Sequence, residues 1–356
     1  MRAMHGLMMD FPLTLSAIVR HAERVYPCRA IVTRRADRSL HRCTFGDFTA
    51  RARRLASALQ RLGVGPGDRV ATLAWNNYQH LEAYFGIPLA GGVLHTLNLR
   101  LHPDEISFII NDAEDRVVLV DDALLPLWQK VAPKTKVRHT VVMGAEGGAG
   151  SDDPATRGTI DYETLLSDAD PLTGGPDPDE RTAAAMCYTT GTTGKPKGVL
   201  YSHRALVLHT FAISLPGSFG IGEGDVILPV VPMFHANAWG LPYAAVMQGA
   251  SLVLPGPHLD AASLVELFER ERVTLTAGVP TIWMSVLQHL DANAGRYDLS
   301  ALHSMVVGGA ALPQALEQNA LLFAADGGAG QHVAQRRVQA EQRRKVRELL
   351  FDLLHL

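Results

Sequence analysis

Apolar residues recur at helical spacing through TFGDFTARARRLASALQRLGV. Phe48, Leu55, Ala58, Leu59 and Leu62 share one face, arginines fill the other, and Gly63 is placed to cap the end. GPGDRVATLAWN then reads as a tight turn and a buried strand. NYQHLEAYFGIPLAGGVL predicts a second helix that ends at a glycine pair, and HPDEISFIINDAED a third, with Pro103 near its start and acids in its first turn. RVVLVDD is a short β-branched strand. Sheet-like patterning returns at AAAMCYTT and DVILPVVPM. LDAASLVELFERERV is an amphipathic helix, and LTAGVP and HSMVVGGAALP are strand-and-turn units. Helices alternating with short apolar strands predict mainly parallel sheet flanked by helices, an α/β fold. Between Gly144 and Thr182 the text turns rich in Gly, Asp and Pro, which predicts surface connections around a short element at TIDYETLL.

Composition narrows the class. The chain has 356 residues, 47% hydrophobic and 19% charged, with a formal net charge of −3. That suits a globular protein with a substantial core, and bulk charge gives no reason to expect a nucleic-acid partner. No apolar run approaches the roughly 20 residues of a membrane helix. The N-terminal text lacks the apolar core of a signal peptide, so a cytoplasmic location is expected. Cys28, Cys43 and Cys187 are scattered without a CxxC pair, which argues against a zinc site or a disulfide framework.

The densest chemistry lies in YTTGTTGKPKG, from Tyr188 to Gly198. Glycines let backbone N–H groups turn toward an anion, threonine hydroxyls add short donors, and Lys195 and Lys197 add positive charge around Pro196. It is not a Walker A sequence, because proline follows Lys195 and no glycine stands five positions before Gly194. Gly63, Gly65 and Gly67 precede a strand, the reverse of the order a dinucleotide fingerprint needs. Composition alone leaves two readings of YTTGTTGKPKG open, a phosphate cradle and a Gly/Thr-rich surface turn.

The order of residues resembles the phosphate-binding signature of the adenylate-forming (AMP-binding) superfamily, with Thr190 where serine is usual. SHRAL after the loop, VPMFHANAWGLPYAAVMQGASLVLPG, GVPTIW and VVGGAALP follow in the family's order, and the text from about Met4 to Pro313 is similar throughout. MMDFPLTL and FHANAWG look most like fatty-acyl-CoA ligases, including the methylthiopropionate-type branch. The resemblance implies the large N-terminal domain of that fold. It also implies an enzyme that joins a medium- or long-chain carboxylate to ATP, with Mg²⁺, and passes the acyl group to CoA.

By family position, Thr189, Thr190, Gly191, Thr192, Thr193, Gly194, Lys195 and Lys197 line the phosphate site, with Gly309, Ala310 and Ala311 beside the nucleotide. His235, a catalytic candidate with Lys197, borders the acyl carboxylate. Trp239, Gly308 and Gly309 belong to the acyl pocket. An isolated histidine or tryptophan in such apolar text would read as packing. The small residues Ala236, Gly240, Ala244 and Ala245 suggest space for an acyl chain. An aryl- or amino-acid-activating branch is the alternative within the enzyme class.

The family pattern stops at Pro313–Leu316. A Y-G-x-T-E-like motif, a ribose-binding aspartate and a small C-terminal domain with a catalytic lysine are not found in the text that follows. Residues 1–316 are therefore expected to be an incomplete AMP-binding N-terminal domain. Residues 317–356 are an atypical basic tail of the kind a shifted reading frame in GC-rich DNA yields. The tail's spacing also fits a basic amphipathic helix for a partner or a membrane surface. This chain alone is expected to be inactive, and a non-catalytic nucleotide- or acyl-binding remnant, or a partner of a full-length relative, is the alternative. Strands without neighbours favour homo-oligomers or self-association. Light scattering on the purified chain is expected to show association; a monomer that melts cooperatively would contradict it.

Overall fold

The computed structural model describes residues 8–144, 158–174, 178–189 and 196–309. In chain order the strands are β1 Ala30–Arg34, β2 Leu40–Thr44, β3 Arg69–Leu73, β4 Val93–Thr96 and β5 Val117–Asp121. They continue with β6 His139–Met143, β7 Ile160–Asp161, β8 Ala183–Thr189 and β9 Lys197–Ser202. The last are β10 Val226–Pro229, β11 Ser251–Leu254, β12 Leu275–Gly278 and β13 Ser304–Val307. Among the described residues they form two sheets, ordered β7-β6-β5-β3-β4-β8-β9 and β13-β12-β10-β11-β1-β2. Neighbours run parallel except for two antiparallel pairs, β8 with β9 and β1 with β2. The expected α/β class and mainly parallel pairing hold, in a fold of two sheets.

The two sheets share a central helical layer. Val117 and Leu119 of β5, Leu252 and Leu254 of β11, and Leu275 and Ala277 of β12 enter one core with the helices Leu15–Val25, Phe45–Arg61, Tyr78–Leu89 and Leu241–Gln248. The alternate residues face outward. Val118 and Val120 pack under Pro103–Asp112, and Val253 packs under Ala261–Arg270. Strands buried on both faces carry near-continuous apolar text, as parallel strands between helices must.

Helix ends follow local chemistry. Thr44 caps Phe45–Arg61 in a reciprocal pair with Asp47, and Thr14 accepts from the Ala17 amide at the start of Leu15–Val25. The latter helix was not anticipated, although Leu15, Ile18, Val19 and Ala22 give the right spacing. Arg51 reaches from Phe45–Arg61 to both Glu82 and Glu163, at 2.6 and 2.7 Å, and so ties three segments together. The tail from residue 317, with its candidate basic helix, lies outside the described residues.

Strand β5 ends in Asp121, which accepts hydrogen bonds from the Asn77 side chain at 2.7 Å and from the backbone amides of Trp75 and Ala123. Burial and the neighbouring Asp122 push its carboxyl up to about 7. The native state therefore favours the protonated acid. That contribution is whole below an ordinary carboxylate pKa of about 4 and is lost as pH rises through about 7. The Tm difference between Asp121→Asn and the parent is expected to move in the variant's favour as pH rises from 4 to 8, because only the parent pays for the buried charge. Melting curves at several pH values check this; a difference of equal size at every pH would contradict it.

Candidate functional site

Strands β8 and β9 form a hairpin in which Thr189 pairs with Lys197, Tyr188 with Gly198 and Cys187 with Val199. The intervening Thr190, Gly191, Thr192, Thr193, Gly194 and Lys195 lie outside the described residues. Their flanks establish the connection: the loop leads from one strand into an antiparallel neighbour. A Walker-type loop leads into a helix, whose N-terminal dipole then meets the anion. Here the next helix, His203–Ser214, starts at the far end of β9. Whatever the loop offers an anion comes from its own amides, hydroxyls and lysines. Lys197 is exposed at the first position of β9.

The hairpin is anchored at its root. The Tyr188 hydroxyl donates to Asp112 at 2.6 Å, and burial holds the phenol above its ordinary pKa. Its ring lies 5.2 Å from that of His95, which is paired through Nδ1 with Asp115 at 2.8 Å, both fully buried.

The segment after β10 is stapled across the two sheets. Asn76, which follows β3, donates through Nδ2 to the carbonyls of Pro229 and Val231 at 2.9 and 3.0 Å. Its Oδ1 accepts from the Met233 amide at 2.8 Å. The Tyr84 hydroxyl donates to the Met233 carbonyl, and Thr96, at the end of β4, donates to the Phe234 carbonyl at 3.3 Å. His235 emerges from this anchored stretch exposed to solvent, so it is not a packed core histidine. With Thr96, Asn98, Tyr188, Thr189, Pro196 and Phe234 it lines a cavity of about 30 Å³.

Ala236, Asn237, Ala238 and Trp239 then all have positive φ, between 44° and 54°, and Gly240 continues at 76°. This is a turn of left-handed helix built from residues with side chains. Each such residue costs roughly 1–2 kcal/mol against the right-handed form, and strained backbone of this kind clusters at functional sites. Local bonds close the turn, Ala238 N–H to His235 O and Gly240 N–H to Asn237 O. Burial pushes the His209 imidazole below its ordinary pKa, and His209 donates through Nε2 to the Trp239 carbonyl at 3.2 Å. A Cβ on Gly240 would sit 2.6 Å from the His209 ring, so glycine is required there. Beside the turn the buried Tyr243 hydroxyl has no hydrogen-bond partner among the described residues. An unpaired buried group of this sort costs about 1–3 kcal/mol.

Trp239 lies at the other end of the turn, against Gly308. A Cβ on Gly308 would approach the indole to 2.8 Å. The expected neighbours Trp239 and Gly308 are thus in contact, with Gly309 next to them at φ 82°. Ala310 and Ala311 lie outside the described residues. Of the residues expected to leave space, Ala236 is exposed, and among the described residues Gly240, Ala244 and Ala245 are packed against protein. Ala244 and Ala245 are fully buried in the central core, and His209 occupies the room that Gly240 leaves. Small residues here permit close packing. Sequence reasoning missed Asn76, Thr96 and Asn237, whose work depends on contacts distant in the chain. Among the described residues no group of three His, Cys, Asp or Glu side chains could hold a metal ion.

Comparison with known proteins adds four findings. The family model "AMP-binding enzyme" matches residues 19–324. The long-chain-fatty-acid–CoA ligase of Thermus thermophilus is 50% identical over 318 residues, which cover 89% of this chain and 56% of that protein. The medium-chain-fatty-acid–CoA ligase of Ectopseudomonas oleovorans is 44% identical, over 88% of this chain and 57% of its own length. In fold, the chain is similar to a solved long-chain-fatty-acid–CoA ligase from Archaeoglobus fulgidus. The TM-score is 0.75 at 23% identity, over 91% of this chain and 63% of that one. The chain thus spans little more than half the length of these two curated relatives.

Asn76 is 4% exposed and holds three of the bonds that join the two sheets at this site. Asn76→Ala is expected to lower unfolding stability by about 2–3 kcal/mol. Urea unfolding measures this, and a loss under about 0.5 kcal/mol would show that the staple is dispensable.

Proposed function

Because the chain belongs to the AMP-binding enzyme family, we propose that it carries the phosphate-facing and acyl-facing walls of an acyl-CoA ligase for aliphatic acids. The observation that carries this reading is the meeting of exposed His235 with Thr189 and Pro196, the flanks of the glycine-threonine loop, on one cavity. An acid held at His235 lies beside the phosphates held by the loop, as bond formation between them requires.

In the proposed reaction a carboxylate oxygen attacks the α-phosphorus of ATP. The bond from that phosphorus to the bridging oxygen breaks, and pyrophosphate leaves. The leaving group gathers negative charge. Amides, hydroxyls and lysines of Thr189, Thr190, Gly191, Thr192, Thr193, Gly194, Lys195 and Lys197 are the donors that stabilise it. His235 donates to the carboxylate and orients it. Trp239 and Gly308 form one wall of the acyl site, and Gly309, Ala310 and Ala311 pass beside the nucleotide. Transfer to CoA completes the family reaction. The relatives are named for long- and medium-chain fatty acids, which favours an unbranched aliphatic substrate over an aryl or amino acid.

Calorimetric titration of ATP and of fatty acids, together with ATP–pyrophosphate exchange, tests the reading. The chain is expected to bind ATP more tightly than millimolar. Lys197→Ala is expected to weaken that binding, and to cut any acid-dependent exchange about 10²-fold, the effect of losing one preorganised donor. Absence of ATP binding at millimolar concentration would overturn the phosphate site, and exchange unchanged in the variant would remove Lys197 from it.

A further inference from the structure

The left-handed turn is held from behind by groups that the adenylation reading does not use. Asn237 is 3% exposed and Cys187 is buried. The Cys187 thiol donates to Asn237 Oδ1 at 3.4 Å, and its sulfur lies 3.5 Å from Thr96 Oγ1. The thiol thus meets the turn from β8, a strand of the seven-stranded sheet. Cys187 stands on β8 two residues before Thr189. The contact therefore joins the turn bearing His235 and Trp239 directly to the strand that leads into the glycine-threonine loop.

We propose that Cys187 and Asn237 are a positioning pair: the thiol fills the concave side of the left-handed turn and fixes it to β8, which sets where His235 and Trp239 stand relative to the loop. Neither residue touches substrate in this account. That the turn positions an acid rests on the proposed function; that the pair holds the turn does not. Asparagine tolerates left-handed backbone better than most residues, so a competing account has Asn237 present for its backbone alone. Glycine separates the two accounts, because it keeps the backbone freedom and removes the amide.

The chain has four tryptophans, so 5-fluorotryptophan labelling gives four ¹⁹F signals, of which Trp239→Phe identifies one. In Asn237→Gly and in Cys187→Ala the Trp239 signal is expected to shift or split while the other three stay in place. Cys187→Ser, which keeps a donor and an acceptor, is expected to restore it. If both variants leave the Trp239 signal and Tm unchanged, the proposal is wrong. A silent Asn237→Gly beside a perturbing Cys187→Ala would leave Asn237 only its backbone role and remove the pair. If Cys187→Ala does not fold, Asn237→Gly against Cys187→Ser carries the same comparison.

Fatty-acid titration adds a second readout. Asn237→Gly is expected to weaken acid binding about tenfold and to leave ATP binding unchanged. A parent chain that binds no acid would defeat the proposed function, and the fluorine spectra would still decide the positioning role.

Discussion

The architecture depends on one constraint, the burial of a helical layer between two sheets. A helix with a sheet on either side has no solvent face to keep polar, and Tyr78–Leu89 and Leu241–Gln248 are buried around nearly their whole circumference. Sharing these helices forces the sheets into a common frame. Asn76 shows the result: it leaves the carboxyl end of β3 and bonds to residues at the carboxyl end of β10. Its backbone also pairs with Gly256, just beyond β11. The candidate groups gather on that side. Thr96 ends β4, Thr189 ends β8, His235 follows β10 and Gly308 follows β13. Open α/β sheets bind ligands beyond the carboxyl ends of their strands, and here two such edges face one region.

How much of this was legible follows from which forces are local. The stripes of Phe45–Arg61 and Ala261–Arg270 could be read directly, because one polar face against one apolar face is a periodic signal. The division into two sheets could not. A parallel strand buried on both faces is an apolar run whichever sheet holds it, so VVLVD and SLVL look alike while lying in different sheets. Strand β2 is only half-buried and reads LHRCT, with no apolar alternation to betray it. The loop and the histidine segment were legible as motifs, but the text of neither states what surrounds it.

The left-handed turn marks the limit of local reading. Ala-Asn-Ala-Trp is unremarkable text, and two of its four residues are alanines, the residue best suited to a right-handed helix. Its handedness is imposed by contacts remote in sequence: His209 on the Trp239 carbonyl, Thr96 on Phe234, and Cys187 behind Asn237. The misreading of Gly240, Ala244 and Ala245 has the same origin. A small residue signals close approach, and only the fold decides whether a ligand or another side chain does the approaching.

Strand β8 shows how one element serves the site on two sides. Alternate residues of a strand face opposite ways. Ala185 faces the central core, and Cys187, two residues on, meets the turn. Met186 and Tyr188 face the outer side, where Tyr188 packs on His95 and bonds to Asp112. Thr189 follows at the mouth of the cavity with His235. Three consecutive residues thus address the turn, the outer helix and the loop in sequence. Their partners lie on other elements, so a shift or a rotation of β8 would disturb these contacts. The flank of the glycine-threonine loop and the segment bearing His235 are thus addressed by the two faces of a single strand.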